Sequence, residues 1–298
     1  MPATSSLSER TASSALIVRE GTAADAADCA RIFYDAFEAI ATRHHFPVEP
    51  PSREFTQFRA AEMLAGEGFV GLVAERDGTV LGSAFVDERA RIAGIGPVTV
   101  DPTAQDRGVG RALVEAALDR ERGRDAAGVR LVQTAYHYRS LALYAKLGFI
   151  LREPLSVVQG IPPTISVPGR DVRPARERDL ARCGELCTQV HGHDRNRELH
   201  DALAAGSARV VECADRITGY ATGFGYGWHA VAETNEDLIA LLGSAEAFLG
   251  LGILVPSRNA ELLRWCLHHG LRILQQSNLM TIGLYNEPAG AYLPSILF

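Results

Sequence analysis

The residues best suited to chemistry in this 298-residue chain form a glycine-rich loop, Gln-Asp-Arg-Gly-Val-Gly, at positions 105–110. A segment with helical periodicity follows, so the glycines stand where a helix begins. Free backbone N–H groups at a helix start bind anions, glycines let a phosphate approach the backbone, and the helix dipole favours negative charge. Arg107 and Arg111 add positive charge. The loop is typical of a pyrophosphate site, and a simple tight turn is the alternative.

The spacing of these glycines excludes two common nucleotide-binding motifs. The dinucleotide fingerprint G-x-G-x-x-G needs a third glycine where this chain has Leu113. A P-loop needs Gly-Lys-Ser or Gly-Lys-Thr, which does not follow here. The loop therefore fits a different phosphorylated ligand.

Hydrophobic periodicity places this loop within an alternation of strands and helices. Three strands are predicted first, two of them joined by an Asp77-Gly78 hairpin turn, and a strand–helix–strand–helix–strand run follows. This order predicts an α/β fold with a mixed (α+β) sheet. The predicted helices are 23–43, 52–65, 111–122 and 137–147, and the predicted strands are 70–76, 79–88, 91–100 and 129–134.

Two motifs at this separation resemble the GNAT superfamily of N-acetyltransferases. The family's acyl-CoA loop has the form Gln/Arg-x-x-Gly-x-Gly/Ala, and a later helix commonly reads Asn-x-x-Ala/Ser-x-x-Leu-Tyr-x-Lys-x-Gly-Phe. The resemblance covers residues 15–154, with His137 at the position where the family often has Asn. The matching residues are Gln105, Gly108 and Gly110 in the loop and Ser140, Leu143, Tyr144, Lys146, Gly148 and Phe149 in the helix.

The resemblance implies that acetyl-CoA is the cofactor, and no metal is predicted. Strand residues Val98, Thr99 and Val100 would pair with the amide groups of the pantetheine arm, as an added strand would. The remaining cofactor contacts are expected from Gln105, Asp106, Arg107, Gly108, Val109, Gly110, Arg111, His137 and Ser140.

For catalysis, the resemblance implies that Tyr144 donates a proton to, or hydrogen-bonds, the leaving thiolate. A tyrosine with its ordinary pKa of about 10 is protonated at neutral pH and can do so. The base that deprotonates the amine is less defined by the sequence. Asp87 and Glu88 end a predicted strand beside the expected cleft and are candidates, although paired acids followed by arginines also suit a solvated hairpin. A water-mediated base is the other alternative.

The two ends of the chain repeat one pattern, because Val18-Arg19 and Asp25 recur as Val172-Arg173 and Asp179. Two GNAT-like acyl-CoA N-acyltransferase domains in tandem are therefore expected. We predict a disordered tail at 1–14, an acetyltransferase domain at 15–154, a linker at 155–171 and a degenerate GNAT-like domain at 172–298.

The second domain is expected not to bind coenzyme A. Residues 231–237, where its cofactor loop should stand, contain three acids and neither glycine nor arginine, and acids repel a pyrophosphate. Such a half could cover the acceptor side of the first domain or mediate association, so a homodimer stays open.

Composition limits the range of partners. A net charge of −6 argues against a nucleic-acid groove. Glycines interrupt the apolar segment 238–255, which favours a buried helix and strand over a membrane span. Five scattered cysteines suggest a reducing, cytoplasmic setting. With these limits, the resemblance implies an N-acetyltransferase that transfers the acetyl group to an amine of a small-molecule or similar acceptor by direct attack in a ternary complex. An acyl-CoA-binding sensor or a non-catalytic GNAT-like interaction protein is the alternative.

Overall fold

The computed structural model describes residues 15–297, and the predicted tail at 1–14 lies outside the described residues. We call residues 15–159 the N-terminal half and residues 160–297 the C-terminal half. Strands and helices alternate in the N-terminal half as the hydrophobic pattern predicts. Its elements are β1 (Ile17–Glu20), α1 (Ala26–His44), α2 (Arg53–Ala65), β2 (Phe69–Arg76), β3 (Thr79–Asp87), β4 (Ile92–Val100), α3 (Val109–Gly123), β5 (Gly128–Thr134), α4 (Tyr138–Lys146) and β6 (Ile150–Gln159).

The C-terminal half repeats this order. Arg19 binds Asp25 with 2.7 Å between Nη2 and Oδ1, and 154 residues later Arg173 binds Asp179 with 2.7 Å between Nη1 and Oδ2. The sequence repeat is therefore a structural repeat. The elements are β7 (Asp171–Pro174), α5 (Leu180–His191), α6 (Asn196–Ala204), β8 (Arg209–Cys213), β9 (Arg216–Ala221), β10 (Ala230–Ala232), α7 (Asn235–Gly243), β11 (Ile253–Pro256), α8 (Ala260–His268), β12 (Arg272–Gly283) and β13 (Ala291–Leu293).

The two halves share one mixed sheet. Its strand order is β1-β2-β3-β4-β5-β12-β6-β11, so β12 of the C-terminal half lies between β5 and β6 of the N-terminal half. Strand β6 in turn pairs with β11. Each half therefore completes the sheet of the other, and we expect neither half to keep its sheet alone. The other sheet has the order β13-β10-β9-β8-β7.

This strand exchange alters the predicted linker. The prolines and glycines nearby predict a linker at residues 155–159, but these residues lie in β6, and residues 155–158 are buried. The prediction was wrong there because β6 gains its neighbours, β12 and β11, from the distant C-terminal half. Single-sequence patterns carry no signal for such long-range pairing.

The helices of the N-terminal half cover opposite faces of the shared sheet. Helices α1 and α2 pack on one face through Cys29, Ile32 and Met63. Helix α3 packs on the other face through Leu113, Val114 and Ala117, with Tyr144 of α4 beside it. The first face is therefore separated from the start of α3 by the thickness of the sheet. No helix within residues 15–297 is long and apolar enough to cross a bilayer.

Candidate active site

A gap between two neighbouring strands forms the base of the site. Strand β4 runs parallel to β5 but pairs with it only from Ile92 to Gly94. Beyond Gly94 the two strands separate, and within residues 15–297 no strand pairs with that edge of β4 from Ile95 to Val100. A bulge between β3 and β4 in the same region shifts the register. Unpaired strand edges can accept an added strand.

The gap opens into a cleft of about 1420 Å³ that both halves line. The N-terminal half contributes α1, α2, β4, the loop before α3, and α4. The C-terminal half contributes Tyr226, Trp228, Leu251, Ile296 and Leu297 among others. The C-terminal half is therefore part of the cleft wall.

The start of α3 faces this cleft with its backbone N–H groups free. Its N-cap, Gly108, has φ +84°, and no side chain caps the helix. The first helical bond is donated by the N–H of Ala112 to the Gly108 carbonyl, at 3.0 Å, which leaves the preceding N–H groups without helical partners. A Cβ on Gly108 would meet no atom within 4 Å. This end has the open space and the donors that a pyrophosphate requires.

The side chains of the loop take different positions. The amide of Gln105 donates to the Val100 carbonyl at 3.4 Å, and Asp106 ion-pairs with Arg139 of α4. Arg111 lines the cleft, whereas Arg107 is exposed and does not line it. The loop residues Gln105, Asp106 and Gly108 and Arg111 therefore line the cleft, and Arg107 does not.

Most of the other predicted cofactor residues lie on the same cleft. Val98, Thr99, Val100, Gly110, His137 and Ser140 line it. Val109 also lines it, although its side chain is buried in the core beneath α3. The Thr99 hydroxyl lies 3.1 Å from that of Ser83. Ser140 donates to the His137 carbonyl at 2.9 Å. Burial, with Arg139 nearby, lowers the pKa of His137 to about 4, so this ring is neutral at pH 7.

Tyr144 lies on the wall of the cleft, on α4. Its ring is 9% exposed and packs edge-on against Phe149, with 5.7 Å between the ring centroids. Burial raises the pKa of Tyr144 to about 12. The hydroxyl therefore stays protonated across the neutral range, as a proton donor requires.

The two acids predicted as candidate bases do not line the cleft. Asp87 accepts two hydrogen bonds from the Arg89 guanidinium, at 2.9 and 2.6 Å. Glu88 accepts from Arg120 at 2.5 Å. Burial raises the pKa of Glu88, but the hydrogen bonds with Arg120 and Glu121 and the charges of Arg124 and Arg120 together keep it below its usual value. Both carboxylates pair with arginines and neither lines the cleft, so the structure does not place Asp87 and Glu88 where the predicted base would act.

An acid that sequence reasoning missed lies on the cleft instead. Glu49, in the loop between α1 and α2, lines the cleft and is enclosed by protein on most sides. Burial raises its pKa to about 7, and the Tyr226 hydroxyl acts in the opposite direction. A lone acid in the apolar run Phe46-Pro47-Val48-Glu49-Pro50 was the available signal.

The corresponding region of the C-terminal half is closed. The Thr234 hydroxyl accepts the N–H of Asp237 at 3.2 Å and so caps α7, the counterpart of α3. Strand β10, the counterpart of β4, pairs along its edge with β13. Arg170 binds Asp237 at 3.1 Å beside the same helix start. In the C-terminal half, therefore, Thr234 caps the helix start and β13 pairs with the strand edge, whereas the corresponding helix start and strand edge of the N-terminal half are open.

Comparison with protein families agrees with this geometry. Residues 30–149 match a family model described as "Acetyltransferase (GNAT) family". The matched residues lie within the N-terminal half, which has the GNAT fold. The matched segment includes the loop before α3, Tyr144 and the predicted cofactor strand. No match was found among curated proteins.

Solved structures show that the GNAT fold extends over both halves. A putative acetyltransferase from Pyrococcus horikoshii is 21% identical, with a TM-score of 0.69 over 96% of this chain and 97% of that one. A GCN5-related N-acetyltransferase from Sphaerobacter thermophilus is 16% identical, with a TM-score of 0.63 over 91% and 96%. A tandem GNAT protein from the clavulanic acid biosynthesis pathway is 15% identical, with a TM-score of 0.55 over 94% and 100%. The fold is therefore that of two GNAT-like domains in tandem.

Proposed function

We propose that this chain is an acetyl-CoA-dependent N-acetyltransferase that acts on a small-molecule amine at one active site, in the cleft of the N-terminal half. The observation that carries the proposal is the uncapped start of α3 beside the unpaired edge of β4. The corresponding helix and strand of the C-terminal half are capped and paired.

The residues present fit an acyl-CoA. The free N–H groups at Gly108, Val109 and Gly110 would hold the pyrophosphate, with Arg111 adding positive charge. The free edge of β4 at residues 98–100 would pair with the pantetheine amides. When bound, acetyl-CoA supplies the acetyl group activated as a thioester.

Tyr144 is the proton donor in this proposal. Its hydroxyl is protonated at neutral pH because burial raises its pKa to about 12. It lines the same cleft as residues 98–100, so it can give its proton to the sulfur as the thiolate leaves. Backbone N–H groups near Val98, on the edge of β4 that does not pair with β5, would steady the carbonyl oxygen.

The experiment is release of free thiol from acetyl-CoA by the full chain with a panel of small amines. The proposal expects amine-dependent thiol release and formation of the acetylated amine. Cofactor binding without turnover of any amine would contradict it and favour an acyl-CoA sensor. Calorimetry on the same preparation measures acetyl-CoA binding, and it shows whether an absence of thiol release is due to a failure to bind acetyl-CoA.

A further inference from the structure

Glu49 is the acidic side chain of the cleft for which the described residues, 15–297, provide no ion-pair partner. The other four acids each ion-pair with an arginine: Glu62 with Arg59, Asp106 with Arg139, Glu198 with Arg195 and Asp201 with Arg89. Within residues 15–297, Glu49 forms no ion pair. Its charge is therefore available to a cationic ligand.

The position of Glu49 suits the amine acceptor. It lies in the loop that joins α1 and α2, the helices on the sheet face opposite α3. The phosphates would bind on the other face, at the start of α3. An acceptor beside Glu49 would approach the gap between β4 and β5 from the side opposite the phosphates.

Two tyrosines face Glu49 from neighbouring elements. Tyr226 belongs to the C-terminal half, and its buried hydroxyl makes no hydrogen bond of regular geometry within residues 15–297. Tyr136, which follows β5, has its pKa raised to about 12 by burial and by Glu49. Arg43 and Lys146 also line the cleft, but neither affects the pKa of Glu49. Glu49 is thus surrounded by neutral hydroxyls.

The walls of the cleft on this side are aromatic. Phe55 and Phe58 of α2 are 40% and 65% exposed, which is unusual for phenylalanines that face no partner. Aromatic surfaces bind apolar rings and also attract cations. Tyr136, Tyr226 and Trp228 line the same cleft.

We propose that the acceptor is a primary monoamine with an apolar, aromatic body, and that Glu49 binds its ammonium group and accepts its proton. The proposal rests on the acetyltransferase function proposed above.

A second ammonium group in the acceptor would find no unpaired carboxylate among the described residues of the cleft, because the other acids form ion pairs with arginines. Burying an unpaired charge is costly, so diamines should be disfavoured.

The proton and bond changes balance. The ammonium group gives one proton to the Glu49 carboxylate, which later releases it to solvent. The amine nitrogen then forms a bond to the thioester carbonyl carbon while the carbon–sulfur bond breaks, and Tyr144 protonates the sulfur. The second proton lost by the nitrogen restores Tyr144. One acetamide, one thiol and one proton result.

The test compares 2-phenylethylamine with 1,4-diaminobutane as acceptors for the full chain with acetyl-CoA. We expect kcat/KM to be about tenfold or more higher for the aromatic monoamine, the size of effect that one apolar contact can give. Equal or reversed preference would overturn the acceptor class. If no amine is acetylated although acetyl-CoA binds, the proposed function itself fails, and this inference fails with it.

The role of Glu49 is tested separately with Glu49→Gln. We expect kcat/KM for 2-phenylethylamine to fall about a hundredfold or more, as for loss of a general base, while acetyl-CoA affinity is unchanged. The control is Glu54→Gln at the start of α2, because Glu54 is exposed and does not line the cleft, and the activity of this variant should equal that of the wild type. A Glu49→Gln variant with wild-type kcat/KM would overturn the proposal.

Discussion

Leu297 lies directly over Gly94, the last residue of β4 that pairs with β5. A Cβ on Gly94 would overlap the Leu297 backbone oxygen and would come within 3.5 Å of its Cβ. The end of the C-terminal half therefore rests on the base of the cleft in the N-terminal half, and glycine at position 94 makes this contact feasible.

We expect Gly94→Ala to displace residues 296 and 297 from the cleft. Thiol release should fall about tenfold or more, because small displacements at an active site cost this much. The matched control is Gly123→Ala at the end of α3, where a Cβ meets nothing within 4 Å. Unchanged kinetics for Gly94→Ala would contradict this view of Leu297.

Gly108 provides a test of the cofactor loop. Gly108 (φ +84°) and Gly78 (φ +70°) share a left-handed backbone, and a Cβ at either meets nothing within 4 Å. Alanine at either site should cost about 1 kcal/mol of stability. Calorimetry should show weaker acetyl-CoA binding for Gly108→Ala alone, because its methyl group would occupy space beside the phosphates. Equal affinity in the two variants would argue against the loop as the phosphate site.

Tyr144→Phe should lower kcat by about a hundredfold and leave acetyl-CoA affinity nearly unchanged, because the hydroxyl acts as the thiolate leaves. Tyr138→Phe is the control, since Tyr138 lies on the same helix, is 71% exposed and does not line the cleft. Steady-state kinetics and calorimetry on both variants check the prediction. If Tyr144→Phe turns over normally, Tyr144 has a packing role.

The dependence of kcat/KM on pH should reflect the ionisation of the Glu49 carboxyl group. Burial raises its pKa to about 7, and a base must be deprotonated to act, so kcat/KM should fall as the pH drops below about 7. The Tyr226 hydroxyl lowers the pKa of Glu49. Tyr226→Phe should therefore move this acidic limb to higher pH, and Glu49→Gln should remove it. An acidic limb that persists in Glu49→Gln would assign it to another group.

The sequence alone predicted the parts of the site that depend on local pattern. The loop at 105–110 and the helix carrying Tyr144 follow from glycine positions and apolar periodicity, and α3 and α4 begin and end within two residues of prediction. Each is formed by contacts close in the sequence, which periodicity records.

The parts that sequence reasoning missed depend on distant contacts. Strand β12 lies between β5 and β6 because of pairing across more than a hundred residues. The arginines that pair with Glu88 are Arg120 of α3 and Arg124 directly after it, and Glu49 gains its surroundings partly from Tyr226. No pattern within a single segment could place these partners together.

A crystal structure of the full chain with coenzyme A would show whether the cofactor binds in the cleft of the N-terminal half. We expect one coenzyme A per chain, with its pyrophosphate against the N–H groups of Gly108, Val109 and Gly110. A pyrophosphate beside Asn235 at the start of α7, or two molecules per chain, would contradict it.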